Sequence, residues 1–86
     1  MYNLEIAKSV EKDFRRISLD KHSLLFTAIE SLASNPFPTS KYKKLKGISN
    51  SYRLRVGDYR ILYEVHNSLK VITVYRVRHR KDVYRN

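Results

Sequence analysis

Residues 52–65 constrain the fold most. They read Tyr52-Arg53-Leu54-Arg55-Val56-Gly57-Asp58-Tyr59-Arg60-Ile61-Leu62-Tyr63-Glu64-Val65, two runs of aromatic and branched residues around a Gly-Asp pair. That pattern predicts a β-hairpin with a two-residue turn, although Asp-Gly would be the stronger order. The register then sets Val56 opposite Tyr59, Arg55 opposite Arg60 and Arg53 opposite Leu62. Because side chains alternate across a strand, Tyr52, Leu54, Val56, Tyr59, Ile61 and Tyr63 share one face. Arg53, Arg55 and Arg60 share the other with Leu62 and Glu64. Like charges directly opposed in a sheet are destabilising, so the second face calls for a polyanion rather than a packing partner. Arginine's planar fork suits phosphate better than a lysine point charge does. The plainer alternative is a solvated sheet face that happens to be basic.

Eighty-six residues allow one small core, so the whole chain, 1–86, is expected to be a single domain. With no cysteine, neither disulfides nor a cysteine-based zinc site can hold it together. Packing must suffice, and 42% hydrophobic residues with two glycines and two prolines are compatible with that. Eighteen basic against eight acidic residues leave a formal charge of +10. Such a field draws in anions, with nucleic acid first, an acidic protein second and an anionic membrane third. No apolar run approaches the ~20 residues that span a bilayer. Residues 1–6 also lack the basic-then-apolar form of a secretory signal, so a cytoplasmic location without membrane contact is expected.

Ahead of the hairpin, Tyr2, Leu4 and Ile6 alternate with Asn3, Glu5 and Ala7 as a short half-buried strand. Ser9 is placed to cap a helix carrying Val10, Phe14 and Ile17 on one stripe and ending near Ser18. Ser18 or Asp20 can cap a second helix over residues 21–34, with Leu25, Ala28, Ile29 and Leu32 as its stripe and Leu24 beside it. Asn35-Pro36 stops it. A connector leads to Lys41-Tyr42-Lys43-Lys44-Leu45-Lys46-Gly47, where Lys43, Lys44 and Lys46 form either an ordinary solvated loop or an approach surface for RNA. After the hairpin come a turn at Asn67-Ser68 and a strand over residues 69–78. Whether Tyr75 or Arg76 joins the arginine face depends on a register the sequence leaves open. The basic tail from Arg78 is too short for an element of its own. The expected fold is α+β, β-α-α-β-β-β, an antiparallel sheet packed on a helical hairpin.

Histidine occurs only at His22, His66 and His79, without zinc-helix spacing, and there is no glycine-rich phosphate loop. No metal and no cofactor is expected. Glu64 reads as a charge partner for the arginines. RNA can be cut without metal, since its own 2′-hydroxyl is the nucleophile. The protein must then align that group, take its proton, stabilise the charged intermediate and protonate the leaving 5′-oxygen. Arg55 and Arg60, with Arg80 from the tail, are candidates to grip the scissile phosphate. Arginine is a poor base, its pKa exceeding ~12. His79 titrates in the useful range, and Tyr84 can exchange a proton or stack on a base. Their plainer readings are a surface histidine and a tyrosine anchoring the terminus.

Three runs together, Leu45-Lys46-Gly47, residues 52–65, and Val77-Arg78-His79-Arg80-Lys81-Asp82-Val83-Tyr84, resemble the RelE branch of the RelE/ParE toxin superfamily. The resemblance covers nearly the whole chain, including its length and element order. It implies a RelE-like toxin of a type II toxin-antitoxin system that cuts messenger RNA in the ribosomal A site, held in check by a small acidic RelB-like antitoxin. It implies Arg53, Arg55, Arg60, Arg80 and Tyr84 as catalytic residues; the basic residues around them, Lys43, Lys44, Lys46, Arg78 and His79, are expected to contact RNA. Arg53 and Arg55 stand where RelE carries lysines on the first hairpin strand. Lysine can shift its pKa into proton-transfer range and arginine hardly can, so the general base stays unassigned. Two other classes of function remain, a ParE-like inhibitor of DNA gyrase and a basic RNA-binding module without catalysis.

Overall fold

The computed structural model describes residues 1–38, 42–45, 47 and 50–83, with backbone alone at 82–83. In chain order the elements are β1 (Asn3–Ile6), α1 (Lys8–Arg15), α2 (Leu19–Ser31), β2 (Tyr42–Lys44), β3 (Ser51–Val56), β4 (Tyr59–His66), β5 (Val71–His79) and α3 (Arg80–Val83). The strands form one sheet in the order β1-β5-β4-β3-β2. β1 runs parallel to β5, and the other pairs are antiparallel. The expected α+β arrangement of sheet and helices is present, but the sheet expected to be antiparallel is mixed, because the two helices carry the chain across before β5 takes its place beside β1. Two additions to the expected elements are the three-residue edge strand β2, in a segment expected to be loop, and the one-turn helix α3, where no element was expected.

The hairpin has the register read from its sequence, Val56 opposite Tyr59, Arg55 opposite Arg60 and Arg53 opposite Leu62. Its turn explains the Gly-Asp order. Gly57 has φ of 58° while Asp58 is not in the left-handed region, the pattern of a type II′ turn, which wants glycine at the first central position.

Leu54, Ile61, Tyr63 and Val65 from the hairpin meet Ile72, Val74 and Val77 of β5, Val10, Phe14, Leu25 and Ile29 of the helices, and Ile17 and Leu32 just beyond them, in one buried core. Both helices therefore cover a single face. Tyr63 is wholly buried and donates its hydroxyl to the Pro36 carbonyl at 2.7 Å. Burial, with Tyr52 and Tyr42 nearby, pushes its pKa well above the ordinary tyrosine value.

Side chains stitch α1 to the sheet. β1 pairs with residues 71–74 alone, so beyond Val74 the outer edge of β5 has no strand beside it among the described residues. Ser9, expected to cap α1, instead lies inside the helix and donates its hydroxyl to the Tyr75 carbonyl. Ala7 holds the N-cap position. Asp13 accepts the Val77 N–H at 2.9 Å. A helix side chain thus occupies backbone groups that an exposed sheet edge would leave open to another chain. At the C-terminal end of α1, one ring nitrogen of His22 lies within hydrogen-bond distance of the carbonyls of Phe14 and Ile17. Ser18, at the N-cap of α2, donates its hydroxyl to the Asp20 carboxylate and so lowers that group's pKa.

Candidate nucleic-acid interface

The face turned away from the helices carries the arginines in rows. Arg55 of β3 is opposite Arg60 of β4, which is opposite Arg78 of β5. One step along, Lys43, Arg53, Leu62 and Arg76 make a second row across four strands. Residues on adjacent strands start about 4.5–5.5 Å apart at Cα, so three guanidinium groups rise from a span of about two strand spacings. An irregularity beside Leu62 and Tyr63 leaves Tyr75 without an opposite residue and brings Arg76 into register with Leu62. The extra residue settles the question left open by the sequence: Arg76 and Arg78, rather than Tyr75, take positions in the arginine rows.

Charge is poorly compensated there. Among the described residues the ion pairs are Asp13 with Arg76 at 3.8 Å, Asp58 with Arg80 at 3.7 Å and, when the imidazole is protonated, Glu64 with His66 at 3.4 Å. Arg53, Arg55 and Arg78 have no described carboxylate within 4.0 Å. Glu64, read as a partner for the arginines, faces His66 instead.

The arginines differ in freedom. Arg55 is exposed. Arg60 is 8% exposed, and one terminal nitrogen donates to the carbonyls of Gly57 and Tyr59 at 3.1 and 2.9 Å. The turn therefore fixes this guanidinium beneath the surface. The Arg78 Nε is buried without a hydrogen-bond partner among the described residues, an unmet donor in a charged group.

The tail residues separate. Arg78 joins the row, whereas His79 is opposite Tyr59 on the other face and meets its ring edge-on at 5.3 Å. Arg80 opens α3, donates its N–H to the Asp58 carbonyl at 2.7 Å and faces the Asp58 carboxylate. It sits at the hairpin tip rather than in the row. The lysines divide as well: Lys43 is opposite Arg53, while Lys44 is opposite Tyr52 on the helix-bearing face. Lys46 and Tyr84 lie outside the described residues. Asp13 has no sequence signature as a site residue, and Arg76 stayed an open alternative to Tyr75, because a sheet-edge contact and a bulge leave no mark in local alternation.

The family described as ParE toxin of type II toxin-antitoxin system, parDE, matches residues 4–84. The chain belongs to this toxin family. RelE1 of Methanocaldococcus jannaschii is 33% identical over 87 residues, which cover 99% of this chain and 97% of that protein. A chain in the archaeal RelE-RelB complex from Pyrococcus horikoshii OT3 superposes with a TM-score of 0.80 at 30% identity, covering 92% of this toxin and 94% of that chain. For the RelB-RelE antitoxin-toxin complex from Methanococcus jannaschii the TM-score is 0.78 at 35% identity, with coverage of 94% and 95%. The resemblance to RelE noted in the hairpin and tail thus extends over the whole fold. Among the described residues, no helix is long and apolar enough to cross a membrane.

Proposed function

We propose that this toxin is a ribosome-dependent endoribonuclease acting in the cytoplasm, which cleaves messenger RNA through attack of the 2′-hydroxyl on the adjacent phosphate. The carrying observation is the row Arg55, Arg60 and Arg78, three opposed cations lacking a described carboxylate within 4.0 Å. A phosphodiester passing to a phosphorane-like state gains negative charge, and fixed guanidinium groups stabilise it without reorganising. Arg60 suits that role because the turn carbonyls already hold it. Exposed Arg55 supplies a mobile fork for the non-bridging oxygens. Arg78 takes the third place that the tail motif suggested for Arg80, rising beside Arg60 on the neighbouring strand.

Arg53 and Lys43 extend the positive field along the strand path, with Lys46 assigned to the same approach surface. Arg80 tethers the tail to the hairpin tip, and Tyr84 follows it by four positions, as the residue proposed to move a proton or stack on a base. The complexes of related toxins with RelB support an antitoxin as the partner, and the +10 charge of this chain favours an acidic one.

Primer extension on translating ribosomes tests the reading. Cleavage should leave a 2′,3′-cyclic or 3′-phosphate and a 5′-hydroxyl. Arg55→Ala and Arg78→Ala should each slow it by ~100-fold or more, while circular dichroism shows a folded protein. Intact message at high toxin concentration would remove the proposal. The match to the ParE family favours a second reading, inhibition of DNA gyrase through protein contacts. Loss of supercoiling activity with message left intact would select it.

A further inference from the structure

Where α1 lies against the strandless stretch of β5, a cavity of about 420 Å³ opens between them, lined by Asp13, Arg16, Tyr59, Arg76, Arg78 and His79 among others. Its volume is within the ~300–1,000 Å³ range of small-ligand sites. Asp13 is already committed to the Val77 N–H and to Arg76. Arg16 and Arg78 have no described carboxylate within 4.0 Å, so two uncompensated guanidinium groups border a pocket whose acid is spent. One wall is aromatic, the Tyr59 and His79 rings standing edge to face, and both residues are half-buried. The backbone contributes too. Because the Val77 N–H turns outward to Asp13, alternation along the strand turns the N–H of His79 the same way. Cations, rings and an outward amide N–H are the complement of a nucleotide: phosphate, base face and base edge. Arg78 belongs to this cavity and also to the arginine row, so the two surfaces are continuous around the β5 edge.

We propose that this cavity holds one nucleotide of single-stranded RNA, its phosphate between Arg16 and Arg78 and its base against Tyr59 and His79, next to the phosphate held by the arginine row. The nuclease reading enters only in identifying that strand as the message being cut. The occupant is an RNA strand rather than an acidic helix because the cavity offers stacking surface and a backbone N–H donor beside its charge.

The test uses the full chain and a single-stranded tetranucleotide with 2′-O-methyl riboses, which cannot be cleaved. The probe should shift the ring resonances of Tyr59 and His79. Arg16→Gln should weaken binding by roughly five- to tenfold and lower the salt slope by about one. Arg15→Gln, the same charge change at an exposed neighbour outside the cavity, should alter affinity less than about twofold. Equal losses in the two variants, or unmoved rings at saturation, would overturn the proposal. So would ring shifts given as fully by inorganic phosphate, which would mean an anion site alone, or by an acidic helical peptide but not the oligonucleotide. Binding with these signatures in a protein that leaves message uncut would retain the cavity and sink the nuclease. Normal cleavage with unmoved rings would do the reverse.

Discussion

The two faces of the hairpin are built from alternate residues of the same strands, yet they answer to different demands. On one, Leu54, Ile61 and Tyr63 are at most 4% exposed and pack against both helices. On the other, Arg55 and Arg60 stand directly opposed, and Arg78 follows on the next strand. The first face lowers the free energy of the folded chain. The second opposes like charges, Arg55 against Arg60, a repulsion that costs stability and that the core offsets. Stability and function are thus separated by strand alternation rather than by distance along the sequence, and single substitutions can address either one.

The largest stability effect belongs to the packed face. Ile61 is fully buried, and Ile61→Ala should destabilise the domain by about 2–5 kcal/mol through lost burial and the cavity left behind. Urea unfolding measures it. A loss below about 0.5 kcal/mol, within the range of ordinary surface substitutions, would show that this face is not the source of stability.

Tyr63 sharpens the same point through pH. Its folded pKa is raised by burial above the ordinary 10.0, so above pH 10 the unfolded chain releases this proton before the folded one does. The unfolded state then binds fewer protons, and stability falls with rising pH by up to about 1.4 kcal/mol per pH unit from this group. The contribution is complete below pH 10 and is lost as pH climbs towards the folded value. Tyr63→Phe should remove that alkaline slope. At neutral pH it should cost about 1–3 kcal/mol, because the Pro36 carbonyl loses its donor. Parallel slopes for the two proteins above pH 10 would show that Tyr63 ionises as readily folded as unfolded.

Much of this division was legible in the sequence, because period-two alternation around Gly57-Asp58 sets register and facing together. The helix stripes were legible for the same kind of reason: Val10, Phe14, Ile17, Leu25, Ile29 and Leu32 recur at helical spacing and are all in the core. What stayed hidden depends on contacts between distant segments. Tyr42, Lys43 and Lys44 look like loop until β3 offers an edge to pair with, and pairing then sends Lys43 and Lys44 to opposite faces. The irregularity at Leu62 and Tyr63 decides that Arg76 and Arg78 take the row positions, and no local pattern announces one unpaired residue. Ser9 reads as a cap because nothing in its neighbours reveals the Tyr75 carbonyl 66 positions away. The antitoxin and the RNA were inferred from resemblance and charge, since neither leaves a fixed spacing in the chain.

The smallest expected effect tests the comparison most directly. Arg55 is exposed, opposite Arg60, and without a described carboxylate within 4.0 Å, so Arg55→Gln removes a repulsion while keeping most of the side chain. Its folding stability should rise by about 0.5 kcal/mol at low ionic strength and converge on the wild type at high salt, where charges more than a few ångströms apart are screened. Arg60→Gln should behave oppositely. Its guanidinium is buried and donates to Gly57 and Tyr59, so the loss of a charge-assisted donor should cost about 1–3 kcal/mol. Urea unfolding of both variants at two ionic strengths separates the cases. If Arg55→Gln is less stable than the wild type at low salt, the arginine row is held together by something other than an absent anion, and the division between the two faces fails.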